Sequence, residues 1–139
     1  RDQIPEMVRR ELNRVEELTK DNDRMTIVLA LNYGGRAEIV DAVKKILNEE
    51  KFDVDSLNEE TFSEYLYTAQ LPNPDLLIRT SGEFRISNFL LWQIAYSEIW
   101  ITHELWPDFR RKHILQALVD YQKRERRFGN IHPSEASGQ

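Results

Sequence analysis

Apolar positions recur along the chain in two rhythms, and the rhythms predict the elements. Ile4, Met7, Val8, Leu12, Val15 and Leu18 follow helical spacing, with Pro5 at the start, where a missing amide does little harm. After the polar break "TKDNDR" comes "MTIVLAL" (25 to 31), a continuous β-branched run that predicts a buried strand. "NYGG" closes it, and "RAEIVDAVKKIL" predicts a second helix with Ile39, Val43, Ile46 and Leu47 on adjoining faces. Asn58 stands ahead of "EETFSEYLY" as the cap of a short helix. The prolines of "LPNPD" make a turn. "LLI" is a short strand ending at Arg79, "SNFLLWQIAYS" a helix, and "EIWIT" a further strand. A last helix runs from about 110 to 128, with Ile114, Leu115, Leu118 and Val119 as the stripe that docks it on the sheet. "HPSEASGQ" reads as a flexible tail, 131–139.

The predicted order, one helix and then β-α-α-β-α-β-α, implies an α/β fold: a parallel sheet flanked by helices. Ligands in such sheets sit beyond the carboxyl ends of strands. "NYGGR" and "RTSGEFR" both fall there.

Composition narrows the picture. The chain has 139 residues, enough for one domain with a core, with 40% hydrophobic and 31% charged positions. It has no cysteine, which fits a reducing compartment and excludes disulfides and thiolate metal sites. No apolar run approaches the roughly 20 residues of a membrane span. The opening "RDQIPEMVRRE" is no signal peptide, and its arginine start suggests a processed or truncated chain. The net charge of −5 argues against general nucleic-acid binding. It hides an acidic stretch, 48 to 64, and a basic one, 110 to 128. The basic stretch is either a solvated helix face or a surface that meets phosphate, an acidic membrane or a partner.

The candidate chemistry lies in "IRTSGEFRISN" (78 to 88). Arg79, Arg85, Thr80, Ser81 and Ser87 around Gly82 are rich in donors and poor in acceptors, which suits an anion. Arginine grips phosphate oxygens through paired N–H groups. The alternative is a solvated loop, or an Arg–Glu pairing with Glu83. "NYGGR" is neither the dinucleotide fingerprint nor a P-loop, so it is either a tight strand-to-helix turn or an anion-binding helix start. Glu98 lies among apolar residues and needs a cation, several donors or a metal; one such carboxylate suits Mg²⁺, and an arginine pair or an outward-facing strand position serves equally. The three histidines have no metal-ligand spacing.

"NYGGRAEIVDAV", "DLLIRTSGEFRISNFLLWQIAYSEIWI", "WPDF" and "RERRFGN" resemble the cis-prenyltransferases, the bacterial undecaprenyl diphosphate synthases in particular, across residues 25 to 130. The resemblance implies a central parallel sheet flanked by helices around an apolar tunnel. It implies sequential cis-condensation of isopentenyl diphosphate onto an allylic diphosphate such as farnesyl diphosphate, giving the lipid carrier precursor for cell-wall synthesis. By position, Arg79, Arg85, Ile86 and Ser87 match the residues that hold isopentenyl diphosphate. Arg127 and Gly129 match an Arg-x-Gly element that reaches the partner's substrate across a homodimer, and Glu98 matches a Mg²⁺ ligand. Glu83, Asn32 and Arg36 are supporting residues. The resemblance further implies a cytoplasmic enzyme with at most peripheral membrane contact.

Two departures qualify it. Phe84 stands where many bacterial members have histidine. The family's N-terminal Asp-Gly-Asn-Gly-Arg-Trp motif, with its essential aspartate, is absent from this sequence. Residues 1–130 are therefore expected to form the C-terminal portion of the domain, roughly 55–60% of a usual chain, inactive by itself. Two other classes stay open: a non-catalytic prenyltransferase subunit, and a phosphate-binding α/β module. Joint retention of Arg79, Arg85, Ser87 and Glu98 argues against the first, and the missing nucleotide fingerprint against the second.

Overall fold

A computed structural model describes residues 4–125, in two compact units that divide between Leu31 and Asn32. The first unit is dominated by α1 (Glu6–Thr19), which starts after Pro5 as its spacing predicts. Its surface is laced by Glu6 with Arg9 and Arg10, both at 3.0 Å, and by Glu11 with Arg14 at 2.6 Å. In each pair the acid precedes the base by three or four residues, the favourable order, worth a few tenths of a kcal/mol apiece.

The run 25–31 is not a strand. Ile27 is 77% and Val28 59% exposed, and the backbone is irregular. A parallel strand that is apolar on both faces needs a ladder partner and a covering layer. The one sheet among the described residues has two strands, neither of them this segment.

The second unit carries α2 (Gly35–Leu47), α3 (Glu59–Ser63), β1 (Leu76–Arg79), β2 (Glu98–Ile101) and α4 (Arg111–Gln122). Short 3₁₀ turns occupy Val54–Ser56 and Trp106–Asp108. The two strands pair in parallel, Leu76 opposite Glu98 and Arg79 opposite Ile101. Thr102 N–H donates to Arg79 C=O at 2.9 Å and extends the ladder by one step. Asn58 caps α3 as its position predicts. Its side chain accepts from the amides of Glu60 and Thr61, and Thr61 Oγ1 accepts from Asn58 N–H at 2.9 Å.

The core is small: Ala42, Ile46, Leu66, Ile94, Trp100 and Ala117, with Glu38, Gln93 and His113 buried among them. The buried stripe of α2 is therefore Gly35, Glu38, Ala42 and Ile46, while Val43 and Leu47 are exposed. The expected docking stripe of α4 is also exposed, at Ile114, Leu115, Leu118 and Val119. His113 and Ala117 face inward instead, and polar ties hold the helix: Trp100 Nε1 donates to Asp120 at 3.0 Å, and Arg124 bonds Glu98 at 2.8 Å.

The helix expected over 87 to 97 is a chain of turns. Ser87, Asn88 and Leu90 have φ of 53°, 62° and 45°, which a right-handed helix cannot include. Ile94 N–H still reaches Leu90 C=O at 3.1 Å, and Ile94 is buried without a continuous helix, while Phe89 and Tyr96 stay exposed.

Candidate anion site at the end of the first strand

Arg79 is the last residue of β1, and the loop that follows folds back on the segment after β2. Ser81 N–H donates to Glu104 C=O and Gly82 N–H to Thr102 C=O, both at 2.8 Å. Gly82 has φ of 66°, and a Cβ there would stand 2.7 Å from His103 Nδ1. Backbone conformation and space thus both favour glycine.

This return brings Ser87 to Arg79, with Nη2 3.4 Å from Ser87 Oγ. The Arg79 Nε–H is buried and has no protein partner. A buried guanidinium donor is ordinarily paired, so this N–H is available to an acceptor from a ligand or a water. Arg85 pairs with Glu83 at 2.9 Å, and its side chain is 69% exposed, free enough to swing toward a ligand. Ile86 and Phe84 lie on the outer side of the loop, Phe84 at 83% exposure.

The loop is held from beneath by the start of α2. Asn88 C=O accepts from Gly35 N–H at 2.7 Å, and Asn88 Oδ1 accepts from Arg36 N–H at 2.9 Å. Two amides that could have bound an anion are therefore already satisfied by protein. The glycines of "NYGGR" serve close approach: a Cβ on Gly34 would stand 2.9 Å from Asn88 Nδ2, and one on Gly35 2.9 Å from Leu91 Cγ. Asn32, with φ of 51°, forms the turn that leads into them. Among the described residues, five non-glycine positions have positive φ, namely Asn32, Ser81, Ser87, Asn88 and Leu90. All five lie in the loops around this site, and such clustering is characteristic of functional loops.

Glu38, four residues into α2, is fully buried. Its oxygens accept from Tyr33 Oη–H, from Tyr67 N–H at 2.9 Å, and from Gln93 Nε2 at 3.1 Å. Gln93 also donates to Thr68 Oγ1 at 2.8 Å, while its own Oε1 is buried without a partner. Burial pushes the Tyr33 phenol well above its usual range, and the bond to Glu38 pushes it further. Glu38, Gln93 and Asn88 were not among the residues singled out from sequence. The available signal was a lone acid at the i+3 position of a Gly35–Ala42–Ile46 stripe.

Glu98 does not join the cluster. It opens β2 while Arg79 closes β1, so about three residues of strand, roughly 10 Å, separate their positions. Its carboxyl is 27% exposed and bonded to Arg124 at 2.8 Å, and Arg124 also donates to Ile99 C=O at 3.0 Å. Among the described residues no group of three metal-ligating side chains gathers. Arg127 and Gly129 lie outside the described residues. A separate open cleft beside α3 is lined by Glu59, Glu60, Asp75, Trp92 and Tyr96, and its acids disfavour a diphosphate. No helix among the described residues is long and apolar enough to cross a membrane.

Comparison with known proteins adds the family. The prenyltransferase family described as "Putative undecaprenyl diphosphate synthase" matches residues 1–129. An isoprenyl transferase of Heliobacterium mobile is 56% identical over 131 residues, covering 92% of this chain and 50% of that protein. An isoprenyl transferase of Fusobacterium nucleatum is 56% identical over 128 residues, covering 92% of this chain and 54% of that protein. Among solved structures, lavandulyl diphosphate synthase from Lavandula x intermedia, in complex with dimethylallyl diphosphate, superposes with a TM-score of 0.84. It is 39% identical, over 93% of this chain and 57% of that one. A probable undecaprenyl diphosphate synthase from Campylobacter jejuni gives 0.75 at 33% identity, over 93% and 59%. The chain thus spans about half the length of the curated relatives it matches.

Proposed function

The chain belongs to the undecaprenyl diphosphate synthase family of prenyltransferases, and from that premise we propose that it carries the isopentenyl diphosphate side of a cis-prenyltransferase active site. The observation that supports this most is the buried, unpartnered Nε–H of Arg79 beside Ser87 Oγ, at the carboxyl end of a parallel strand. Arg79 and Ser87 grip the diphosphate there. Arg85 leaves Glu83 to add a second cation, and the backbone of Ile86 lies along the same loop.

In the reaction the allylic diphosphate departs, C4 of isopentenyl diphosphate attacks the allylic carbon, and a proton leaves C2 to give a cis double bond. This chain's arginines fix the diphosphate of the attacking substrate and so orient its C4. They do not supply the aspartate that the family places at the allylic site, so activity belongs to a protein that also contains that motif. Farnesyl diphosphate as starter, an undecaprenyl product for cell-wall synthesis, a homodimer closed by Arg127 and Gly129, and a cytoplasmic site of action are the finer parts of the same proposal.

Glu98 fits Mg²⁺ in the kind of donor it offers, one carboxyl of the one or two that this ion takes from protein, and it is the residue that would hold it. Bound Mg²⁺ would offset diphosphate charge and ease its departure. Its present partner is Arg124, and the Arg79 cluster stands apart from it.

The test is kinetic, in the active protein that carries this chain. Arg79→Ala and Arg85→Ala should each raise KM for isopentenyl diphosphate about thirtyfold, the equivalent of roughly 2 kcal/mol for a charged hydrogen bond, and leave KM for the allylic substrate nearly unchanged. Unaltered isopentenyl diphosphate kinetics in both variants would remove the assignment.

A further inference from the structure

The loop that carries Ser87 has left-handed residues at 87 and 88, and such a backbone persists only where its surroundings hold it. Asn88 is the point of attachment. Its main-chain oxygen takes the Gly35 amide and its side-chain oxygen takes the Arg36 amide, both on the first turn of α2. Asparagine suits the place twice over. It tolerates φ of 62°, and it offers an acceptor short enough to meet a helix start. Gly34 complements it, since no side chain larger than hydrogen fits 2.9 Å from Asn88 Nδ2 without turning that amide.

We propose that Asn88 is a positioning residue that clamps the Ser87 loop to the first turn of α2 and so holds the Ser87 hydroxyl where it meets the substrate diphosphate beside Arg79. This rests on the isopentenyl diphosphate reading above. Asn88 itself touches no substrate; it acts through Ser87. The same clamp explains why two helix-start amides are spent on protein rather than on ligand, and why the first glycine of "NYGGR" lacks a side chain; the second makes room for Leu91.

Two substitutions strike the clamp from opposite sides. Asn88→Gly keeps the left-handed backbone and the acceptor for Gly35, and deletes only the acceptor for Arg36. Gly34→Ala keeps every acceptor and displaces the Asn88 amide. Isopentenyl diphosphate is titrated calorimetrically into the active protein that carries this chain and into each variant of it, with Arg79→Ala as the control for the site itself. Each clamp variant should bind about fivefold more weakly, the equivalent of one net hydrogen bond, with melting temperature held within about 2 °C and faster hydrogen exchange at the Arg36 amide. Weakened binding in Arg79→Ala with native affinity in both clamp variants overturns the inference and leaves the site standing. Affinity lost only together with a fall of more than about 5 °C in both variants makes Asn88 a structural residue and also overturns it. Native affinity in Arg79→Ala removes the diphosphate site, and this inference with it.

Discussion

Glu38 offers the sharpest test of how the site is held together. It is fully buried, and both of its oxygens accept hydrogen bonds from Tyr33, Tyr67 and Gln93. Glu38→Leu leaves the Tyr67 amide and one Gln93 donor without an acceptor. Tyr33 is only half-buried and can turn to water. Two stranded donors at roughly 1–3 kcal/mol each, less about 1–2 kcal/mol regained by burying an apolar side chain, put the loss at about 1–4 kcal/mol. That is a large share of the 5–15 kcal/mol typical of a whole domain. Glu38→Gln is different. It keeps the one oxygen that already accepts from both Tyr67 N–H and Gln93 Nε2, and its new amide nitrogen can donate to Tyr33 Oη. The loss there should stay under about 1.5 kcal/mol. Urea unfolding of the chain followed by far-ultraviolet circular dichroism reads both values. Equal midpoints for the two variants, or a leucine variant as stable as the native chain, would refute the reasoning. Either result would mean that the donors find other partners and that burial alone holds this region.

Other expectations follow from the same contacts. The Tyr33 phenol is raised by burial and then by Glu38, so its stabilising effect is complete below about pH 10 and is lost as pH climbs through the higher folded value. The stability gap between native chain and Tyr33→Phe should therefore stay constant up to about pH 10 and shrink as pH rises above it, and a gap that widens there would contradict the assignment. Glu98→Gln in the active protein should raise the Mg²⁺ requirement with little change in melting temperature, whereas a clear thermal loss with native Mg²⁺ dependence would make the bond to Arg124 the residue's whole role. In the same protein, mixing Arg127→Ala with Arg79→Ala subunits should restore activity above either parent. Heterodimers without recovery would place the Arg-x-Gly element within its own subunit.

What could be read from the sequence was set by local chemistry. Asn58 and Thr61 form their cap, Leu76–Arg79 and Glu98–Ile101 pair in parallel, and Arg79 meets Ser87 because strand end and loop lie close in the chain. What could not be read depended on partners distant in sequence. The run 25–31 has the composition of a strand but no ladder to join among the described residues. The apolar content of 89–95 is equally compatible with a helix and with packed turns, and the left-handed Ser87 and Asn88 decide for turns. The buried helix faces depart from the apolar pattern for one reason: small and polar residues, Ala42 with Glu38 in α2 and Ala117 with His113 in α4, take the tight inner side. The larger apolar residues beside them remain exposed.

The most direct measurement is the affinity of the chain for isopentenyl diphosphate before and after the double substitution Arg79→Ala/Arg85→Ala, at several salt concentrations. The account predicts saturable one-to-one binding to the native chain that weakens as salt rises, and at least about a hundredfold loss in the double variant, since two charged contacts are removed. Binding that survives the double substitution unchanged would contradict it, because the diphosphate would then be held somewhere other than the end of β1.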